Sequence, residues 1–365
     1  MRILHVTYDM RIGGTEMVIK NIIESNSNPD VKMSIFCIES PLGPWGEDLQ
    51  KKAISIYCHT RKDGFDFSII RSIRKVIKAN KIDIVHCHQY TPWVYGAMAA
   101  ISTSAKVIFT EHGRFYPDRS NWKRQIVNPL LVKLTSEITA ISEATKRALS
   151  EYEFIPESKV HVIYNGIKPL ISSSSLVAEL RSSLSIPDEH IVFGTVARLD
   201  SIKNHRMMIE AFKRVNSEFP ETVLLIVGDG EERENIELQI QKLSLEKHVI
   251  LTGYIKAPSN HISSMDVFLL SSFSEGTSMT LLEAMSLSKP CIVTDAGGNR
   301  EIVKNGENGF VSENDNELQF SQLMKLLLKS PELIKRMGRN GKLRFHERFL
   351  ATTMIENYKR LYQKP

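Results

Sequence analysis

No stretch of the 365-residue chain approaches the run of about 18 apolar residues that a membrane-spanning helix requires, so a helical integral membrane protein is excluded. The opening Met1-Arg2-Ile3-Leu4-His5-Val6 also lacks the apolar core of a signal peptide and passes straight into a strand pattern, and a cytoplasmic protein is the expectation. Cysteine is scarce. Cys37, Cys58, Cys87 and Cys291 are scattered, form no Cys-x-x-Cys pair and lie mostly in apolar strand-like runs, where buried free thiols are the expected state. Gly228-Asp229-Gly230 has Arg233 where a GxGxxG loop would carry its third glycine, which disfavours nicotinamide or flavin binding. Stripes of Lys and Arg interleaved with exposed aromatics are missing too, and with them the case for nucleic acid as a partner.

What is present is 42% hydrophobic and 24% charged residues, the balance of a globular protein, on a chain long enough for two domains with separate cores. The net charge of +5 is unevenly placed: residues 1–170 hold 23 Lys and Arg against 17 Asp and Glu, and the rest hold 24 against 25. Within the basic half, the segment from Asn121 to Lys133 adds Trp122, Ile126, Leu130 and other apolar residues to the charge. A foot on an anionic membrane surface fits this segment, and so does an ordinary amphipathic helix with a solvated basic edge.

Short apolar strands alternate with helical patterns along the whole chain, which predicts an α/β protein of two Rossmann-like, doubly wound, mainly parallel domains. In the first half helices are expected over 66–80, 92–102, 121–135 and 142–151. In the second they are expected over 205–218, 231–243, 315–329, 331–339 and 342–363. Lys168 to Pro187, with its serine run, reads as a connection carrying one helix over 176–184. The expected boundaries are therefore a first domain over 1–168, a linker over 169–186, a second domain over 187–345, and a final helical segment over 346–365 that reaches back to the first domain.

The chain is organised around Ser272 to Met285. Asp266-Val267-Phe268-Leu269-Leu270 reads as a buried parallel strand, and the stretch after it turns into a helix with Leu281, Leu282 and Met285 on one face. A helix beginning near Thr277 would leave the amides of Gly276 to Met279 without intrahelical partners, a site for an anion such as phosphate. Glu275 and Glu283 bracket that turn, about 9 Å apart along the axis at ~1.5 Å of rise per residue. That separation suits two sets of hydroxyls on either side of a diphosphate. Taken singly, Glu275 would be a helix-start acid and Glu283 a solvated helical residue.

Other strand-end loops belong to the same kind of rim, where open α/β sheets place their ligands. Gly13-Gly14 follows the first strand and precedes Thr15-Glu16 at a helix start, although a structural turn would also account for the glycines. Glu111-His112-Gly113-Arg114 follows the strand over 106–110, and His112 there is either a rim residue for catalysis or a local hydrogen-bonder. Arg198 and Lys203 lie just past the strand over 192–197, and two cations on one loop would neutralise a diphosphate leaving group. Asp295 to Glu301 forms a further glycine-containing loop. His86 and His88 share one face of a strand, but no third ligand is near in sequence, so no metal is expected there.

Taken together, Gly13-Gly14, Glu111-His112-Gly113, Asn165-Gly166, Ala197-Arg198-Leu199 with Lys203, Gly228-Asp229-Gly230 and Glu275-x7-Glu283 resemble glycosyltransferase family 4, from Met1 to about Phe349. The resemblance implies the GT-B fold, two Rossmann-like domains facing across a cleft, and a retaining transferase using a nucleotide diphosphate sugar. By similarity, Arg198 and Lys203 would hold the diphosphate, helped by the turn Gly276-Thr277-Ser278-Met279-Thr280 and by Gly13 and Gly14. Glu275 would bind hydroxyls of the transferred sugar, Glu283 those of the ribose, and His112 would lie beside the sugar. The base would rest near Tyr254 and Ile255. The donor phosphate itself would assist proton removal, so no dedicated base is needed. The absence of an Asp-x-Asp motif speaks against the metal-dependent single-domain transferases, and no cofactor or metal is expected. Lys168 replaces the acid the family usually carries after Asn165-Gly166-Ile167, which puts any role of that acid in question.

The implied acceptor is a glycan or a lipid-linked acceptor in surface polysaccharide synthesis, placing the protein in the cytoplasm or peripherally on the inner face of the membrane. Two other readings share the architecture. A nucleotide-sugar epimerase would change the sugar while it stays attached to nucleotide, and a non-catalytic sugar-nucleotide-binding protein would bind without releasing nucleotide.

Overall fold

Short apolar strands can be joined in parallel only through long crossovers, and amphipathic helices supply these crossovers throughout. A computed structural model describes residues 1–113 and 120–364. Two units emerge, Met1–Gly166 with Ala351–Pro365, and Ile167–Leu350.

The first unit runs β1 (Arg2–Thr7), α1 (Gly14–Glu24), β2 (Lys32–Cys37), α2 (Pro44–Lys51), β3 (Ser55–Cys58), α3 (Phe67–Ala79), β4 (Ile84–His88), α4 (Tyr90–Ala100), β5 (Lys106–Glu111), α5 (Trp122–Lys133), β6 (Glu137–Ala140), α6 (Glu143–Glu153) and β7 (Val160–Val162). Its seven parallel strands lie in the order β3-β2-β1-β4-β5-β6-β7. Alternation along each strand feeds two cores. Leu4, Val6, Val85, Cys87 and Phe109 pack with α3 and α4, where the Trp93 ring stacks on Phe109 at 4.3 Å. Ile3, Ile84 and Ile108 face the other way, towards Met354, Tyr358 and Leu361 of the last helix.

The second unit runs α7 (Ser174–Ser183), β8 (Ile191–Val196), α8 (His205–Asn216), β9 (Thr222–Val227), α9 (Arg233–Lys242), β10 (Val249–Leu251), α10 (Ser259–Ser264), β11 (Val267–Leu270), α11 (Met279–Ser286), β12 (Cys291–Thr294), α12 (Asn299–Ile302), β13 (Gly309–Ser312), α13 (Glu317–Leu328) and α14 (Pro331–Arg348). Six parallel strands are ordered β10-β9-β8-β11-β12-β13. The closing helix, α15 (Ala351–Gln363), counts with the first unit.

Two expectations need correction, and one helix is new. The segment 169–186 is no free linker: α7 packs on α10, and the Arg181 guanidinium donates to the carbonyls of Ser264, Pro187 and His190, so it is part of the second unit. The break expected near 340 is absent, and the chain breaks at Phe349-Leu350 instead. Gly338 sits inside α14 because the helix passes close to the backbone of Ser288 to Pro290, whereas a Cβ on Gly341 would meet only ordinary contacts at 3.7 Å or more. A Cβ on Gly338 would meet the Ser288 carbonyl oxygen at 2.1 Å. Helix α2 was not anticipated, although Pro44 at its first turn is a recognisable start signal.

Candidate active site

In the second unit the strand order reverses between β8 and β11, which pair directly, so the loops leaving their carboxyl ends part and open a crevice. The β8 loop carries Arg198 and Lys203, and the β11 loop carries Ser271 to Ser278. Hydrogen bonds tie the two together: Ser271 Oγ donates to the Lys203 carbonyl at 2.8 Å, and Phe273 N donates to the Ile202 carbonyl at 2.8 Å. Across this junction Lys203 Nζ lies 2.6 Å from Glu275 Oε1, and Ser272 Oγ donates to the same oxygen at 2.6 Å. Asp200 sets both cations, accepting from Arg198 Nε at 2.7 Å and from the Lys203 amide at 3.1 Å. The Arg198 side chain is 75% exposed, whereas that of Glu275 is only 8% exposed. Both cations are therefore already paired with carboxylates, Arg198 with Asp200 on an exposed side chain and Lys203 with Glu275 on a more enclosed one.

Helix α11 begins at Met279 rather than near Thr277, because Ser278 is its N-cap and its Oγ accepts from the Leu281 amide. The amides of Met279 and Thr280 are left to be satisfied from outside the helix. Glu283 follows one turn later. It is not a solvated helical residue: its Oε2 is buried without a hydrogen-bond partner, and burial raises its pKa to about 7. A buried, unpartnered carboxylate oxygen at a strand-end crevice is a group waiting for donors.

Two glycine loops buttress this site. A Cβ on Gly228 would stand 1.9 Å from the Ala197 carbonyl oxygen, and one on Gly230 would stand 2.3 Å from that of Leu199. The Leu199 amide donates to the Asp229 carbonyl at 3.0 Å. Gly228-Asp229-Gly230 thus wedges against the Arg198 loop. Gly297, at φ +49°, approaches the Glu275 backbone so closely that a Cβ would meet the Glu275 oxygen at 1.7 Å, and the Gly298 amide donates to that oxygen at 3.2 Å. Tyr254 and Ile255 follow β10 on the same rim, held where the Gly228 amide donates to the Gly253 carbonyl at 2.9 Å. A groove of about 710 Å³ beside α8 and α9, lined by Asp200, His205, Glu232 and Gln239, includes none of Arg198, Lys203, Glu275 and Glu283.

The first unit has its own switch point between β1 and β4. Gly13 caps α1 in an extended conformation and Gly14 is its first residue. A Cβ on Gly13 would meet Glu16 Oε2 at 2.3 Å, and burial raises the Glu16 pKa to about 7. His112 follows β5, with its Nε2 2.9 Å from His88 Nδ1. Arg114, read as part of that loop, lies outside the described residues. The sequence reading missed His5, which lies opposite His86 because β1 and β4 are neighbours in the sheet. The side chains of His5, His86 and His88 each bring a nitrogen within 4.8 Å of the others. Both His86 nitrogens are engaged by hydroxyls, Tyr362 at 2.8 Å and Thr110 at 2.7 Å, a pattern of hydrogen bonds between neutral groups. The four cysteines are free, but Cys58 is exposed, not buried.

The model of glycosyl transferases group 1 matches residues 177–344, and that of Glycosyltransferase Family 4 matches residues 12–169. The chain belongs to glycosyltransferase family 4. This glycosyltransferase is 27% identical to the UDP-Gal:alpha-D-GlcNAc-diphosphoundecaprenol alpha-1,3-galactosyltransferase of Escherichia coli, across 99% of this chain and 96% of that one. It is 25% identical to the capsular polysaccharide biosynthesis glycosyltransferase CapM of Staphylococcus aureus, across 81% of each. Its fold, two α/β units with parallel sheets, matches Anabaena HepE in complex with UDP and glucose at a TM-score of 0.86, with 21% identity over 99% of both chains. A glycosyltransferase from Rickettsia africae matches at 0.89, with 21% identity over 99% of this chain and 97% of that one.

Proposed function

We propose that this glycosyltransferase moves a hexosyl or N-acetylhexosaminyl unit from a nucleotide diphosphate sugar to a glycan or lipid-linked acceptor in surface polysaccharide synthesis, with retention at the anomeric carbon and without a metal. The observation that carries the reading is the Lys203–Glu275 pair, the exposed Arg198 and the unpartnered Glu283 oxygen, carried by the loops and the helix α11 that leave one switch point. A diphosphate arriving there takes Lys203 and Arg198 as counterions together with the first amides of α11. Glu275, released from part of its pairing, accepts from sugar hydroxyls, and Glu283 accepts from the ribose. As the glycosidic bond breaks, charge grows on the departing phosphate, where fixed cations and amides stabilise it most.

Retention is supported by the state of Glu275. Held by Lys203 and Ser272, it is suited to binding hydroxyls and poorly suited to deprotonating an acceptor on the opposite face. Two cations at the rim supply the charge a metal would otherwise provide. Uridine donors are favoured by the similarity to a UDP-Gal-dependent galactosyltransferase and by the fold match to HepE in complex with UDP and glucose. An amphiphilic acceptor is supported by a groove of about 420 Å³ in the first unit, lined by Phe65, Tyr90, Val94 and Val127 with Arg61 and Lys123 at its edges. No helix of the described residues is long and apolar enough to cross a membrane, and the proposed membrane contact is peripheral, through α5.

The test is a thermal-shift screen across nucleotide sugars, followed by product analysis with a lipid-diphosphate sugar acceptor in the presence of EDTA. Free nucleoside diphosphate and an α-linked product from an α-linked donor are expected. A changed sugar still attached to nucleotide would identify an epimerase, stabilisation without nucleotide release would identify a binding protein, and loss of transfer in EDTA would overturn metal independence.

A further inference from the structure

Four histidines meet under α15 in the first unit. His5 lies opposite His86, and His88 shares that face two residues on. His112 follows β5, whose Thr110 lies opposite His88. Three of the rings are joined in series: His5 Nδ1 is 3.0 Å from His88 Nε2, and His88 Nδ1 is 2.9 Å from His112 Nε2. His86 stands beside the series, its centroid 4.1 Å from that of His88. The two ends, His5 Nε2 and His112 Nδ1, are buried and have no partner. Packed around the series are Tyr358 and Tyr362 of α15, Thr110 and Thr139, and Glu111, whose carboxylate accepts from the His112 amide at 3.0 Å.

Proton counting decides what such a series can do. Burial lowers His5 and His112 to about 3 and His88 well below its ordinary value, so all three rings are neutral near pH 7, each with one N–H. Each gap between rings holds one proton, since two lone pairs or two N–H groups would repel. Two of the three protons are thereby used, and the third sits at one end, on His5 Nε2 or on His112 Nδ1. The tautomers are coupled. With His112 Nδ1 bare, every N–H points towards His5, and with His112 Nδ1 protonated, every N–H points the other way.

We infer that His88, backed by His5, is a positioning residue for His112: it fixes the ring and lets Nδ1 act as hydrogen-bond acceptor or donor without the ring becoming charged. The ligand this serves is a hydroxyl group held by a neutral imidazole. That the hydroxyl belongs to the transferred sugar rests on the proposed function.

The experiment uses full-length protein labelled with 15N-histidine, with His88→Leu, His88→Gln and His88→Asn. An Asn amide nitrogen overlays imidazole Nδ1 and keeps a partner for His112, whereas Gln overlays Nε2 and keeps only His5. Imidazole nitrogen shifts should show His5, His88 and His112 neutral from about pH 5.5 to about pH 8.5, with tautomers running in one direction. H88Q and H88L should lose the fixed His112 tautomer while retaining circular dichroism, and should lower kcat about 10- to 100-fold with donor KM changed less than about threefold. H88N should restore both. Independent titration of the three rings near 6.5, or a His112 tautomer indifferent to His88, overturns the inference, as does an unchanged kcat in H88L and H88Q. Coupled tautomers in a protein that transfers no sugar would support the coupling and count against the proposed function.

Discussion

Lys203 Nζ and Glu275 Oε1 lie 2.6 Å apart, 72 residues apart in the chain, on loops from two strands, β8 and β11, that are adjacent in the sheet. The pair holds a carboxylate and an ammonium partly buried and mutually compensated, so removing either partner leaves the other uncompensated. Lys203→Ala should reduce kcat/KM for donor about 100- to 1000-fold, or ~3–4 kcal/mol of transition-state stabilisation. Glu275→Gln should act mainly on kcat and leave nucleotide diphosphate affinity within about threefold. Steady-state kinetics with separate nucleotide-binding titrations would check both, and a Lys203→Ala enzyme with wild-type kcat/KM would remove this pair from the mechanism.

Glu283 gives a pH dependence whose sign can be worked out. Its folded pKa, about 7, is above the ordinary 4.5, so between those values the native state keeps a proton that the unfolded chain has lost. Stability from this group is present at low pH and is lost as pH rises through 7, by ~3 kcal/mol at most. Glu283→Gln should therefore flatten the urea-denaturation difference between pH 5 and pH 8, though not abolish it, because Glu16 is raised in the same direction. Donor binding should tighten with rising pH through 7 in the wild type, as the carboxylate that accepts ribose hydroxyls forms. Equal slopes in wild type and variant would show that Glu283 is not the titrating group.

Much of this was legible in the sequence because the signals were local. Strand-then-helix alternation gives the parallel sheets, and Glu275, Gly276 and Ser278 sit where a strand delivers a helix start. Arg198 and Lys203 were readable for the same reason. What the sequence did not reveal depends on sheet order or close approach: His5 meets His86 and His88 only because β1 lies beside β4, and Gly297 is constrained by the Glu275 carbonyl 22 residues earlier. Gly338 belongs to the same class, since a glycine inside a helical pattern does not end the helix when the helix must pass close to another backbone, here that of Ser288.

Gly297 is a direct test of that close approach. Gly297→Ala introduces a Cβ at φ +49° and 1.7 Å from the Glu275 oxygen, so backbone must shift. We expect ~2–4 kcal/mol of destabilisation and a large loss of transfer, since Glu275 moves with its carbonyl. Gly306→Ala is the control: at φ +81° with nothing within 4 Å it should cost only ~1 kcal/mol and leave activity intact. Similar effects of the two substitutions would show that φ alone, and not the contact with Glu275, matters at position 297.

Among the four thiols, reactivity should be confined to one. Cys58 pairs in register with Cys37 across β2 and β3; its contact with Cys37 lowers its pKa to about 7, whereas Cys37 is pushed far up by the same contact and by burial. Cys87 and Cys291 are fully buried. A disulfide reagent at pH 7.5 should label one thiol per native chain rapidly and all four after denaturation. Cys58→Ser should abolish the rapid phase, and a rapid phase that survives would place the reactive thiol elsewhere.

The apolar stripe of α5 carries the proposed membrane contact. Trp122, Ile126, Leu130 and the C-cap Leu134 recur every fourth residue and are 67%, 61%, 59% and 41% exposed, with Lys123 and Lys133 exposed on the same helix. A helix buried against protein would not leave four such residues in water, whereas one lying in a bilayer interface would bury them beneath basic side chains that reach anionic headgroups. At ~1.5 kcal/mol or more for each large side chain transferred, Trp122→Ser with Ile126→Ser and Leu130→Ser should weaken binding to phosphatidylglycerol vesicles by about 100-fold or more. Turnover of a water-soluble acceptor should be unchanged, because the residues replaced are exposed on the helix surface. Salt should weaken the wild-type interaction by screening the lysines and leave the residual binding of the triple variant little altered. Wild-type protein that stays in the supernatant with these vesicles at low salt would refute the membrane contact and leave α5 as a solvent-facing helix.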